Sequence, residues 1–124
     1  MADIKKILSE DVFDIDSDIQ IQYTKKDEDP LSKYTTQNTL LALEYDTRDV
    51  VEELKKLTVE NYYESMVDDR GEEWNLFHVF KVIIQGEDIY VKVRIKRLSK
   101  DIVFCISFHF AEFPMIEMPY TTSV

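Results

Sequence analysis

Eight consecutive residues, Ile89-Tyr90-Val91-Lys92-Val93-Arg94-Ile95-Lys96, alternate apolar and polar side chains without a break. A period of two belongs to a β-strand with one dry face and one wet face, because successive strand side chains point to opposite sides of the sheet. Ile89, Val91, Val93 and Ile95 are therefore expected in a core, and Tyr90, Lys92, Arg94 and Lys96 on an open face. Strand patterns also occupy residues 74–84 and 102–110, joined to this one by Gln85-Gly86-Glu87-Asp88 and Ser99-Lys100-Asp101. Three strands with short turns predict an antiparallel meander. Continued alternation in the last strand puts Ile102, Phe104, Ile106 and Phe108 on one face and Val103, Cys105, Ser107 and His109 on the other.

Upstream of the meander the period changes. Ile4, Ile7 and Leu8 suggest a short helix over residues 3–9, and Leu40, Leu41 and Leu43 a second over residues 35–43 with Thr35 or Thr36 as N-cap. Asp46 or Thr47 can cap a third, with Val50, Val51, Leu54 and Leu57 along one side and Glu52 four residues before Lys56 on the other. Residues 19–23 and 62–67 alternate as further strands, the first of them at a sheet edge. The expected fold is α+β: about three N-terminal helices packed on a twisted antiparallel sheet, made of the meander plus one or two further strands. Residues 1–110 read as one domain containing an acidic insertion at 11–32. Residues 111–124 read as an apolar tail that packs on its own domain or meets a neighbouring chain.

Composition narrows the function. With 124 residues, 44% apolar, and two Gly and three Pro, the chain can bury a core and is not a low-complexity segment. Its one cysteine, Cys105, allows no internal disulfide, and His78 and His109 lack metal-ligand spacing, so neither metal nor cofactor is expected. The acids near Asp11 lack the glycine and terminal glutamate of a calcium loop. No apolar run reaches the length of a bilayer span and the first residues lack a signal's apolar stretch, which predicts a cytoplasmic protein without membrane contact. The net charge is −10, yet Lys92, Arg94, Lys96, Arg97 and Lys100 fall within residues 91–100 with no acid among them. That cluster is either a solvated strand face or a phosphate-attracting patch.

Four blocks carry a family resemblance. Leu57-Thr58-Val59-Glu60-Asn61-Tyr62-Tyr63-Glu64-Ser65-Met66 resembles L-S/T-x-x-D/N-F/Y-Y-K-S-M of the MqsR toxin family. Trp74-Asn75-Leu76-Phe77-His78 is similar to its W-Q-D-V-Y, Ile89-Tyr90-Val91-Lys92-Val93 to its V-Y-L/V-K-I/L, and Val103 to His109 to its closing V-I-S-F-K. The blocks keep the family's order and, with the preceding helix pair, cover residues 35–110. Glu64, Asn75 and His109 stand where the motifs have Lys, Gln and Lys, while Tyr90 matches.

The resemblance implies a RelE-like fold and a metal-independent endoribonuclease toxin that cleaves mRNA and is held by a cognate antitoxin. In such cleavage the 2′-hydroxyl attacks the adjacent phosphorus, which requires a base, an acid and charge stabilisation. On that basis Glu64 is expected as general base, His109 as general acid, Tyr90 as a phosphate or proton-relay contact, and Asn75 as a lesser catalytic position. Lys92, Arg94 and Lys96 are the expected RNA phosphate ligands. The competing reading is a catalytically silenced protein of the same fold that serves as a protein-binding or regulatory module. A homodimer through the edge strand or the tail is a further expectation. His78 shares strand parity with Leu76 and Phe80 and is read as a core or interface histidine.

Overall fold

The structure is a computed structural model that describes residues 2–9, 13–67, 76–97 and 100–115. Helices α1 (Ala2–Ser9), α2 (Thr36–Leu43) and α3 (Thr47–Lys55) pack on one side of a five-stranded sheet. The strands are β1 (Ile19–Ile21), β2 (Tyr62–Val67), β3 (Leu76–Ile84), β4 (Glu87–Arg97) and β5 (Asp101–Phe110), in the spatial order β1-β5-β4-β3-β2.

Local chemistry explains most boundaries. The Thr35 hydroxyl accepts from the Asn38 N–H at 3.0 Å and starts α2. Asp46 and Asp49 cap α3 reciprocally, each carboxylate accepting the other residue's backbone N–H. On α3 Val50, Val51 and Leu54 are buried, and Leu57 follows them into the core just past its end. The ion pairs on its outer side are Glu52–Lys55 and Glu53–Lys56, spaced i,i+3, in place of the expected Glu52–Lys56. The β3–β4 connection is two residues, Gln85-Gly86, both at positive φ (53° and 79°), so β4 begins at Glu87 and not after a four-residue turn. Positive φ at both positions suits the right-handed twist of paired strands.

Two expectations change. The sheet is mixed and not antiparallel, because β1 runs parallel to β5, Ile19 beside Val103 and Ile21 beside Cys105. β1 lies between α1 and α2 and β5 ends the meander, so the two are neighbours in the sheet although most of the chain separates them in sequence. On α2 the buried residues are Thr36, Thr39, Leu40 and Leu43, while Leu41 is exposed. The threonines are buried because β1 is only three residues long and leaves the far end of β5 without a neighbouring strand. There the Phe108 N–H donates to the Thr36 hydroxyl at 3.1 Å and the Phe110 N–H to that of Thr39 at 3.0 Å. Helix α2 thus satisfies backbone groups that would otherwise be buried unpaired.

β4 keeps the expected alternation, with Ile89, Val91 and Val93 fully buried against the helices. β5 does not. Val103, Cys105 and Phe108 belong to the helix-side core, while Ile102, Phe104, Ser107 and His109 pair with the open-face residues of β4. The expected grouping of Ile102, Phe104, Ile106 and Phe108 on one face is therefore incorrect. The cause is a β-bulge at Ile106: Val93 pairs with Cys105 but Lys92 pairs with Ser107, which reverses parity for the rest of the strand.

Candidate active site

β2 carries a second bulge. Tyr62 pairs with Phe80 and Glu64 with Val79, leaving Tyr63 as the extra residue. In an unbroken strand Glu64 would share the face of Tyr62, whose ring meets Phe80 edge-on in the core. With the bulge it stands on the open face. The two bulges together place Glu64 and His109 on the side of the sheet that also bears Tyr90 and Lys92.

Register arranges these side chains in two rows. Glu64, Val79, Lys92 and Ser107 lie abreast across β2, β3, β4 and β5, and Lys81, Tyr90 and His109 form the neighbouring row. Adjacent strands are about 4.8 Å apart, so Glu64 and His109 stand on opposite sides of the Tyr90–Lys92 ridge. Tyr63, Glu64, Tyr90, Lys92, Ser107 and His109 line a cleft of about 440 Å³ whose remaining wall is residues 111–115. That wall is held by the Ala111 N–H donating to the Asp88 carbonyl at 2.9 Å and the Lys81 ammonium donating to the Met115 carbonyl at 3.1 Å. Met115 is buried and Phe113 exposed, so the described part of the tail packs on its own domain.

The imidazole of His109 stacks on Tyr90 with centroids 5.1 Å apart and planes 14° from parallel. Its Nδ1 is 2.9 Å from the Phe110 carbonyl oxygen, which can only accept, so Nδ1 carries the proton. In the neutral ring Nε2 is then the acceptor. Burial pushes the His109 pKa down, the bond to Phe110 offsets part of that, and the charge of Lys25 lowers it further. Tyr90 is pushed the other way, first by burial and then by the carboxylate of Glu64, and keeps its phenolic proton at neutral pH.

Arg94 and Lys96 continue along the open face beyond the cleft. The Lys92 ammonium lies 4.8 Å from the Phe77 ring centre, Arg94 lies 5.2 Å from Phe77 and 5.8 Å from Phe104, and Lys96 lies 4.1 Å from Phe104. The Lys96 ammonium also donates to Gln20 Oε1 at 2.9 Å. Cations and aromatic rings alternate across this strip. His78 is apart from the cleft, half-buried, with Nδ1 2.9 Å from the Ser65 hydroxyl. Asn75 lies outside the described residues, as does Trp74.

Three contributors were not expected as site residues from the sequence. Ser107 and Tyr63 reach the cleft through the two bulges. Lys25 sits in the loop after β1, and its ammonium donates to the Ser107 hydroxyl at 2.9 Å from 82 positions away.

The family model that matches this chain, described as motility quorum-sensing regulator, toxin of MqsA, covers residues 18–110. The chain belongs to the MqsR toxin family. No curated protein and no solved structure gives a match. The match begins upstream of residue 35, so it takes in β1 and the loop carrying Lys25 as well as the four blocks. Within this MqsR-family chain, Glu64 and His109 replace motif lysines, yet both are inside the cleft beside the matching Tyr90. Among the described residues no helix is long and apolar enough to cross a membrane, and no three His, Cys, Asp or Glu side chains are grouped to hold a metal ion.

Proposed function

We propose that this chain is the toxin of a toxin–antitoxin pair, a metal-independent endoribonuclease that cleaves mRNA in the cytoplasm and is neutralised by a cognate antitoxin protein. Family membership supports the toxin reading. The observation that carries the chemistry is the gathering of Glu64, Tyr90, Lys92 and His109 in one cleft, two of them brought there by bulges.

The 2′-oxygen attacks phosphorus while its proton passes to a base, and the 5′-oxygen leaves as it takes a proton from an acid. His109 was expected as the acid, but a neutral ring with Nε2 as acceptor fits the base. Tyr90 retains its proton and supplies it to the leaving oxygen. Glu64 acts through Tyr90, its negative charge holding the phenol in the donating form. The products are a 2′,3′-cyclic phosphate and a 5′-hydroxyl. Water then moves the proton from His109 back to Tyr90, and the site is reset. Lys92, with Arg94 and Lys96 along β4, binds the backbone phosphates. Alternate strand residues are about 6.6 Å apart, comparable to the spacing of phosphates in an extended single strand.

Expression from a tightly repressed promoter, with growth and new RNA 5′ ends followed in parallel for the parent, His109→Ala and Tyr90→Phe, tests this reading. Growth arrest and discrete cleavage by the parent, lost in both folded variants, is the expected result. A folded parent that leaves RNA intact refutes the nuclease and favours the silenced binding module, which the acids Glu64 and Glu112 at the cleft would suit.

A further inference from the structure

Lys25 is a half-buried lysine in an unusual position. Its ammonium donates to the hydroxyl of Ser107, itself buried, and among the described residues no carboxylate forms an ion pair with it. Glu28 attracts it from within the same loop, but that carboxylate accepts the backbone N–H of Lys25 at 3.1 Å. Lys92 stands directly across from Ser107 in the sheet, and its described partner is the face of Phe77. The Lys25 ammonium thus meets the buried hydroxyl directly, and Lys92, at the paired position in the sheet, is close enough for its charge to act on Lys25. Burial and the charge of Lys92 both disfavour the ammonium form of Lys25. Like charges near one another in a partly desolvated place are costly unless an anion joins them.

From this arrangement we infer that Lys25, Ser107 and Lys92 form a second phosphate subsite, which holds the RNA phosphate next to the scissile one. The inference rests on the nuclease reading for its choice of ligand, and on the register of the sheet for its position. The Lys92–Ser107 pair is adjacent to the Tyr90–His109 pair, so the subsite lies one step along the sheet from the reacting groups. The Ser107 hydroxyl, now accepting from Lys25, can turn its own hydrogen toward a phosphoryl oxygen, and both ammonium groups donate to the same anion. Lys25 thereby brings a cation to Ser107, one of the residues lining the cleft, from a loop far away in sequence.

The test uses the whole chain and a fluorescently labelled RNA oligonucleotide bearing 2′-O-methyl groups, which binds but cannot be cleaved. Lys25→Gln keeps a polar side chain with N–H donors while removing the charge, and Lys25→Arg restores the charge. The expected result is a weakening of roughly tenfold in Lys25→Gln, a salt dependence shallower by about 0.7 in log–log slope, and recovery in Lys25→Arg. Unchanged affinity and slope in a folded Lys25→Gln protein overturns the subsite, as does a parent that fails to bind the oligonucleotide. Cleavage of unmodified RNA by the parent is measured separately. A parent that binds through Lys25 but does not cut upholds the subsite while refuting the nuclease.

Discussion

At the scale of single residues, environment sets the chemistry of each group. His109 and Tyr90 are stacked neighbours shifted in opposite directions by the same burial, because burial disfavours whichever form is charged. The imidazole is neutral and accepting, the phenol neutral and donating. As a base, His109 must be unprotonated, so cleavage is full above its pKa and lost as pH falls through a value below 6.5. A kcat/KM profile of the parent with that acid limb is the expected measurement; activity that instead falls as pH rises through the same value returns His109 to the role of acid. Stability follows the same sign. The unfolded chain binds protons at His78 and His109 more readily than the folded one, so stability is full above 6.5 and declines as pH falls toward their folded values. The motif blocks made Tyr90, Glu64 and His109 visible in the sequence. Burial, tautomer and partner were not visible, because each depends on atoms distant along the chain.

At the scale of elements, helices and strands were legible, and so were the faces of α3 and β4, while those of α2, β2 and β5 were not. Caps at Thr35 and Asp46 and the stripe on α3 act within a few residues, and period-two runs report burial on one side only. A bulge leaves no such mark: Ile106 looks like one more apolar residue in an apolar strand. Deleting Ile106 removes the bulge while leaving Cys105 and Phe108 inward and Ser107 and His109 outward, so the variant is expected to fold and still shield Cys105. In the parent, burial holds that thiol unreactive, its pKa pushed up to about 12. Thiol alkylation of the native variant, read by mass spectrometry, checks the point; rapid labelling means that the strand has turned over. Thr36 supplies the second element-scale prediction. Thr36→Val leaves the Phe108 N–H without its acceptor, at a cost of about 1–3 kcal/mol in urea unfolding, and loosens β5 beside His109. A loss of only a few tenths means that the hydroxyl is dispensable there.

At the scale of the whole molecule, an acidic protein keeps a basic strip on one face of its sheet. Net charge of −10 repels nucleic acid at long range, while Lys92, Arg94 and Lys96 act at contact distance. Binding of single-stranded RNA is therefore expected to weaken with salt at a log–log slope of about −2.8, as four cationic contacts with Lys25 included require, and a flat salt dependence removes the strip from the binding surface. Composition and periodicity determined by themselves that the chain folds as α+β, that its second half is a meander, and that β4 turns its cations to an open face. These properties are set by short-range sterics, capping and burial on one side of an element. Tertiary structure alone decided that β1 joins β5 in parallel, that α2 turns Thr36 and Thr39 inward beside Leu40 and Leu43 and leaves Leu41 outside, that two bulges swing Glu64 and His109 into the cleft, and that Lys25 reaches Ser107. Each of these matches groups that are far apart in the chain, and their partners exist only once the sheet has closed.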